Sequence, residues 1–282
     1  MSELSRQPRI LLVGPSVEVV RAAGAAGFGV WSLWDARRCP DARLAVVSER
    51  LLLADFADEA GLADATGAAA EAGLCVNPPG AVRLLADKEA VRRVGEVNGL
   101  VATGSSGAVG GARFRVDTLS VHGMHHTVGI TVETPYGVLY PAPVTAGVAA
   151  ALRSAVASLL DLAGYQYGPA CTSVVLTARG PVTTGCRTVV AEEPVAGLVR
   201  VAAGRDVVGD AFGALAGRDV VPVRARGFAV AIAVGGLLGE RVRELPYVRE
   251  VVGGYAVVGA ESVDLVVELA GFIRELAGSG VC

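Results

Sequence analysis

Lysine is almost absent from this chain. It occurs once, at Lys88, among 25 lysine and arginine residues in 282. A general coding preference for arginine explains the bias but not the position of the survivor. A large net charge is lacking as well: the balance is −3, which excludes a general basic field for nucleic acid. Cysteine is scattered, and Cys39, Cys75, Cys171, Cys186 and Cys282 form no CxxC pair. Reduced thiols are therefore expected, not a disulfide frame. Long hydrophobic runs are missing too. The longest, Gly227–Leu238, lies between Arg226 and Glu240 and is too short to span a bilayer. No charged-then-apolar leader opens the chain. Together these absences lead us to expect a cytoplasmic protein with no nucleic-acid or membrane partner.

What is abundant is apolar. The chain is 52% hydrophobic, with a mean hydropathy of +0.50, which predicts a large core and a buried oligomer interface. Arg9–Gly14 and Gly29–Asp35 read as buried parallel strands around a helix over Val17–Gly27. Leu44–Ser48 reads as a third strand, Asp58–Gly73 as an alanine-rich helix, and Gly80–Asn98 as a helix entered through Pro79. This alternation predicts a parallel α/β layer over residues 1–98.

After residue 112 the texture changes. Arg113–Ser120 and His125–Glu133 alternate as two strands around a turn at His122-Gly123. Thr145–Gly164 is an amphipathic helix ending at glycine. Cys171–Ala178 and Pro181–Val190 form a second hairpin around Arg179-Gly180. Leu198–Gly217 reads as one helix, Val220–Leu238 and Val251–Val258 as strands, and Glu261–Leu276 as a closing helix. Residues 99–282 are thus expected to form an α+β unit.

Several segments carry a family likeness in their order and wording. They are NPPGAVRLLADKEAVRR at 77–93, RFRVDTLSVHGMHHTVGIT at 113–131, LYPAPV at 139–144, LLDLAGYQYGPACTSVVLTARGP at 159–181, AAGRDVVGDAFGALAG at 202–217 and REVVGGYAVVGAESVDLVVELAGFI at 249–273. In sequence the chain resembles the ATP-grasp superfamily, in particular the carboxylate–amine ligases that join amino acids. The resemblance implies an N-terminal α/β domain over 1–98, followed by an ATP-grasp α+β catalytic domain over 99–282. In such ligases a lysine and a glycine-rich loop of a lid subdomain hold the ATP phosphates. Two acids and an asparagine hold magnesium. The substrate carboxylate becomes an acyl phosphate, which an amine attacks.

The chain departs from that pattern. Only Gly99–Ala112 separates the segment leading into the ATP-binding half from the hairpin that follows the lid, so the lid and its lysine are read as deleted. Where the family usually has histidine and glutamate, Cys171 and Ser173 stand. Where it usually has glutamate and asparagine two apart, this chain offers Thr184, Gly185, Cys186 and Arg187. Glu192 and Glu193 lie beyond that arginine. The expected domain is therefore truncated and lidless, with no metal, no cofactor and no ATP-dependent ligation. The uncovered sheet face is expected to be apolar and satisfied by a homodimer or a ligase partner.

The candidate residues each have a plain alternative. Lys88 matches a family lysine that touches nucleotide phosphate, so it is a surviving anion contact or a solvated residue paired with Glu89 or Asp87. Arg187 is a two-pronged carboxylate anchor or an edge-strand arginine in solvent. His122, His125 and His126 invite a zinc reading, but adjacent strand residues face opposite ways, and no metal site is expected. Cys171 is a nucleophile if a cation stabilises its thiolate, or else a buried, inert residue; Cys186 is weighed the same way. The backbone at 11–16 and the glycines at 104–111 are weak anion-site signals.

Two functions of different classes follow. One is a repurposed enzyme of specialised biosynthesis, acting without ATP on an amino acid or small carboxylate. There Arg187 and Lys88 bind substrate, and Cys171, Ser173 or His125 serve as catalytic groups. The other is a non-catalytic pseudoenzyme that partners an intact ligase. A third reading keeps ATP-dependent ligation with an unusual site.

Overall fold

The structure is a computed structural model that describes residues 7–55, 67–74, 76–98, 111–188, 193–234 and 242–278. The N-terminal unit is a parallel sheet of β1 (Arg9–Val13), β2 (Gly29–Asp35) and β3 (Arg50–Ala54), with β2 in the middle. Between β1 and β2 runs α1 (Val17–Ala25), whose cap Ser16 accepts the Val19 amide on its Oγ. That bond satisfies one of the unpaired amides at the helix start. The apolar spacing of α1 buries Val17, Val20 and Ala23.

The stretch read as a third strand is instead helix α2 (Ala42–Val47), and the strand falls at Arg50–Ala54. A short apolar run does not distinguish strand from helix. Asp41 decides the matter here by accepting the Arg43 amide as N-cap. The alanine-rich segment is helical at 67–71 and turns at 72–73, and the earlier part of that expectation, 58–66, falls outside the described residues.

The single helix expected over Gly80–Asn98 is two, α3 (Pro79–Ala86) and α4 (Lys88–Val97). Asp87 takes an extended conformation between them and caps α4 by accepting the amides of Glu89 and Ala90. Leu198–Gly217 is also divided, into α6 (Val195–Ala203) and α7 (Val207–Leu215). Gly204 ends α6 at φ +67°, a left-handed conformation that favours glycine, and Asp206 caps α7. Helix α5 (Ala146–Ala163) runs as read, from its cap Thr145 to Gly164.

The large sheet contains eight strands among the described residues, in the order β10-β11-β9-β6-β5-β4-β7-β8, and every pairing in it is antiparallel. The strands are β4 (Ala112–Val121), β5 (Met124–Thr134), β6 (Gly137–Tyr140), β7 (Gly168–Thr177), β8 (Gly180–Arg187), β9 (Phe228–Ala233), β10 (Val248–Val252) and β11 (Tyr255–Ala260). Of the strand expected over Val220–Leu238, the described residues show β9; 218–227 runs irregularly, and 235–241 is outside the described residues. Val251–Val258 is a hairpin instead of one strand, turning at Gly253-Gly254, both with positive φ.

One sheet face is covered by α3, α4 and α5 through Leu85, Val91, Leu152, Val156 and Leu159, and by α8 (Val263–Gly278) through Val266, Ala270 and Ile273. Helix α5 is long and apolar enough to cross a membrane, but its leucine ridge is core. The other face is covered by α6 and α7 over β9, β11 and the end of β4. Phe212 of α7 also packs edge-on against Phe28, with ring centroids 6.5 Å apart. This contact ties the N-terminal sheet to the large one. Over β4, β7 and β8 this second face carries the exposed Arg113, Ser173 and Arg187, so it is polar there and not apolar as expected.

Candidate functional site

Register sets out the site in two rows. Gly129, Asp117, Cys171 and Arg187 are successive cross-strand partners on β5, β4, β7 and β8. Thr131, Arg115, Ser173 and Gly185 form the next row. Positions two apart on a strand share a face, so Arg115, Asp117, Cys171, Ser173, Gly185 and Arg187 look the same way.

Asp117 is the centre of this face and was not among the sequence candidates. Its residue is 4% exposed. Arg115 donates to Asp117 Oδ1 through Nε at 3.2 Å and Nη2 at 3.1 Å. Oδ2 is buried with no hydrogen-bond partner among the described residues. Burial pushes the carboxyl's pKa above its ordinary range, against the pull of Arg115, Cys171 and Arg187. The alternation of RFRVD already puts Arg115 and Asp117 on one face, but nothing local reveals that the acid is buried.

Cys171 lies beside Asp117 and is also 4% exposed. Burial first, and the Asp117 charge second, push its thiol up to about 12, despite Arg115 and Arg187 nearby. The thiol is therefore neutral at physiological pH, which argues against the nucleophile reading. Cys186 points to the other face, into the core with Leu85 and Val91, and accepts the Thr172 hydroxyl at 3.4 Å. Burial raises its pKa as well. Cys39, Cys171 and Cys186 are free thiols, while Cys75 and Cys282 lie outside the described residues.

Ser173 is exposed beside Gly185, and its carbonyl accepts the Thr184 hydroxyl at 3.3 Å. Arg187 is exposed at the end of β8. Lys88, expected across the cleft from this hairpin, belongs to the same wall. A Cβ placed on Gly185 would lie 3.5 Å from Lys88 Cγ and 3.9 Å from Cδ. The only lysine of the chain therefore lays its stem along the strand through the space a side chain at 185 would use.

His125 is not part of this constellation. It pairs with Ser120, three residues beyond Asp117 and so about 10 Å along the strand. Its side chain is 4% exposed. Nδ1 meets Ser120 Oγ at 2.7 Å, and Nε2 lies 3.2 Å from Asp161 Oδ1 of α5, misaligned for a hydrogen bond. Contact with α5 places the ring on the face opposite Asp117. His122 sits in the β4–β5 turn at φ +50° against Tyr167, its Nδ1 3.0 Å from the phenol oxygen. Among the described residues no group of three His, Cys, Asp or Glu side chains could hold a metal. At 11–16, Ser16 already caps α1 with its own hydroxyl; the glycines at 104–110 lie outside the described residues.

No family model matches the chain, and no curated relative does. Solved structures do. An L-amino acid ligase from Bacillus licheniformis superposes with a TM-score of 0.72 at 16% identity, covering 96% of this chain and 97% of that one. N5-carboxyaminoimidazole ribonucleotide synthetase from Thermotoga maritima gives 0.68 at 13% identity, covering 95% and 98%. The biotin carboxylase domain of a single-chain bacterial carboxylase gives 0.60 at 16%, covering 94% and 88%.

The fold is of ATP-grasp type.

An ATP-grasp ligase site implies ATP with magnesium, and the described residues on this face do not fit a divalent ion. Magnesium takes an octahedron of oxygen ligands, usually including one or two carboxylates. The outward positions here are a serine hydroxyl, a glycine crossed by a lysine stem, and a guanidinium. Asp117 is committed to Arg115 through Oδ1 and shielded at Oδ2. Glu193 is committed elsewhere, accepting the Gly197 amide and the Arg200 guanidinium. Glu192 lies outside the described residues.

Proposed function

We propose that this ATP-grasp-fold chain works without ATP-dependent ligation and uses the cleft over β4, β7 and β8 to bind an amino acid or small carboxylate. One observation carries the reading: Lys88 and Arg187 stand on the face where an ATP-grasp ligase needs anionic metal ligands. A cationic wall suits a carboxylate directly, and an arginine can grip it with two donors. Ser173, exposed beside Gly185, supplies a hydroxyl. Cytoplasmic specialised biosynthesis suits the free thiols and the L-amino acid ligase likeness, and a homodimer would cover Phe272 and Leu265, which are exposed on α8.

The test is binding of a panel of amino acids and small carboxylates by calorimetry. Arg187→Ala should weaken binding by about 1.5–3 kcal/mol, the worth of a hydrogen bond to a charged group. Arg179→Ala, in the turn between β7 and β8, should leave it unchanged. Equal affinities in the two variants would remove Arg187 from the site.

A second reading is a pseudoenzyme that stabilises or regulates an intact ligase. It is favoured by the neutral thiol of Cys171 and by the placement of His125 on the opposite face, which leave neither of them to act as a base for Ser173. If no small molecule binds, but the protein raises a partner ligase's activity, this reading replaces the first.

A further inference from the structure

A cavity of about 830 Å³ lies between β5, α5 and the irregular segment before β9, and no residue of β7 or β8 lines it. Every residue from 125 to 130 does. Side chains on a strand point alternately to its two faces, so a consecutive run meets the cavity along the edge of the strand. That edge is open. β6 pairs with β5 at Val132, Glu133 and Thr134, and the Ala142 amide donates to the Ile130 carbonyl at 2.8 Å. Between Met124 and Ile130, the main chain of β5 is bonded to β4 alone among the described residues. An unpaired edge offers amides and carbonyls as a template for one more strand.

The opposite wall is α5, which presents Ala149, Arg153 and Ala157 at one-turn intervals. From Ala149 to Ala157 the helix rises about 12 Å, the length of about four residues of extended chain. Val220, Val221 and Val223 make the third side apolar. Arg153 is the only arginine, lysine, aspartate or glutamate among the lining residues. It is exposed, and no carboxylate among the described residues pairs with it.

We infer that this groove binds a short apolar peptide with a free C-terminal carboxylate, laid in extended form against β5 as an added strand. The open edge supplies main-chain bonds, the valines and alanines receive apolar side chains, and Arg153 is the counter-charge for the carboxylate. The site is separate from the carboxylate site proposed above and does not depend on it.

The experiment is calorimetry with the peptide acetyl-Val-Thr-Val-Val as free acid and as C-terminal amide, and with two forms of the acid N-methylated at alternate residues. The acid should bind about ten-fold more tightly than the amide, or better, as a charged hydrogen bond requires. One methylated form should lose binding and the other keep it, because alternate amides of an added strand face β5 and solvent. Arg153→Gln should bring the acid down to the affinity of the amide and leave the amide unchanged, and Arg153→Lys should restore much of the difference. Ser154→Trp, which fills the groove from an exposed helix position, should abolish binding. An amide as tight as the acid, an acid preference that survives Arg153→Gln, equal effects of the two methylations, or binding that survives Ser154→Trp would each overturn the inference. So would failure of the acid to bind the folded wild type; none of these results touches the carboxylate site.

Discussion

Removing Arg115 should make stability depend on pH through a group that was not among the sequence candidates. Arg115→Ala deletes both donors to Asp117 Oδ1 and leaves a carboxyl whose other oxygen already lacks a partner. Breaking a buried ion pair from one side costs about 3–5 kcal/mol when the remaining charge must stay charged. Asp117 has an escape, because burial already raises its pKa, and losing Arg115 raises it further. At low pH the acid is neutral, and the variant loses about 1 kcal/mol, the worth of an ordinary hydrogen bond. At higher pH the full charge is stranded, and the cost should climb toward about 3 kcal/mol. The sign follows from linkage. A carboxyl with a raised folded-state pKa binds more protons folded than unfolded, so stability falls as pH rises from the ordinary carboxylate value through the folded one. Urea unfolding of wild type, Arg115→Ala, Asp117→Asn and the double variant at pH 5 and pH 8 closes the cycle. The cost of Arg115→Ala should be larger at pH 8, and in the Asp117→Asn background it should be small at both. An equal cost at the two pH values, unchanged by Asp117→Asn, would show that Arg115 acts by packing alone and refute the argument.

Cys171 should resist alkylation by iodoacetamide at pH 7.5 in the native protein while exposed Cys39 reacts; rapid labelling of Cys171, read by peptide mass spectrometry, would contradict the neutral, buried thiol. Asn77→Ala should cost about 2 kcal/mol. Asn77 Nδ2 donates to the Tyr167 carbonyl at 2.6 Å, and Oδ1 accepts the amides of Gln166 and Tyr167 at 2.8 and 2.9 Å. A change below about 0.5 kcal/mol in urea unfolding would mean water replaces the clamp without loss.

How much of this could be read in advance varied with the range of the interaction. The strands β4, β5, β7 and β8 announced themselves because alternation is local and its period survives packing, whereas the four-residue β6 was not read and the β10–β11 hairpin was read as one strand. The register of the hairpin around Arg179-Gly180 alone would pair Cys171 with Cys186; a bulge at Thr184 shifts it by one residue and brings Arg187 beside Cys171, on the face of Ser173. The divided helices were legible in principle, since Asp87 before Lys88-Glu89 and Gly204 before Asp206 are stop and start signals inside otherwise helical runs. The short run ARLAVV was not, because six residues satisfy either period. Non-local contacts were out of reach. Lys88 and Gly185 are 97 positions apart, and only the fold shows that a glycine on an edge strand is the track of the only lysine. The burial of Asp117 likewise involves its cross-strand partner Cys171 and the nearby Tyr140, neither of which adjoins it in sequence. His125 was misplaced for a related reason: the residues of β5 nearest Asp117 are Gly129 and Thr131, and His125 lies two residues before a bulge that shifts the register.

The central claim is that the cleft is cationic in its own right and has no use for a metal-bound nucleotide. Calorimetric titration of ATP with excess magnesium into the full chain tests it most directly. The account predicts no saturable binding up to millimolar nucleotide; a sub-millimolar dissociation constant that disappears with EDTA would contradict it.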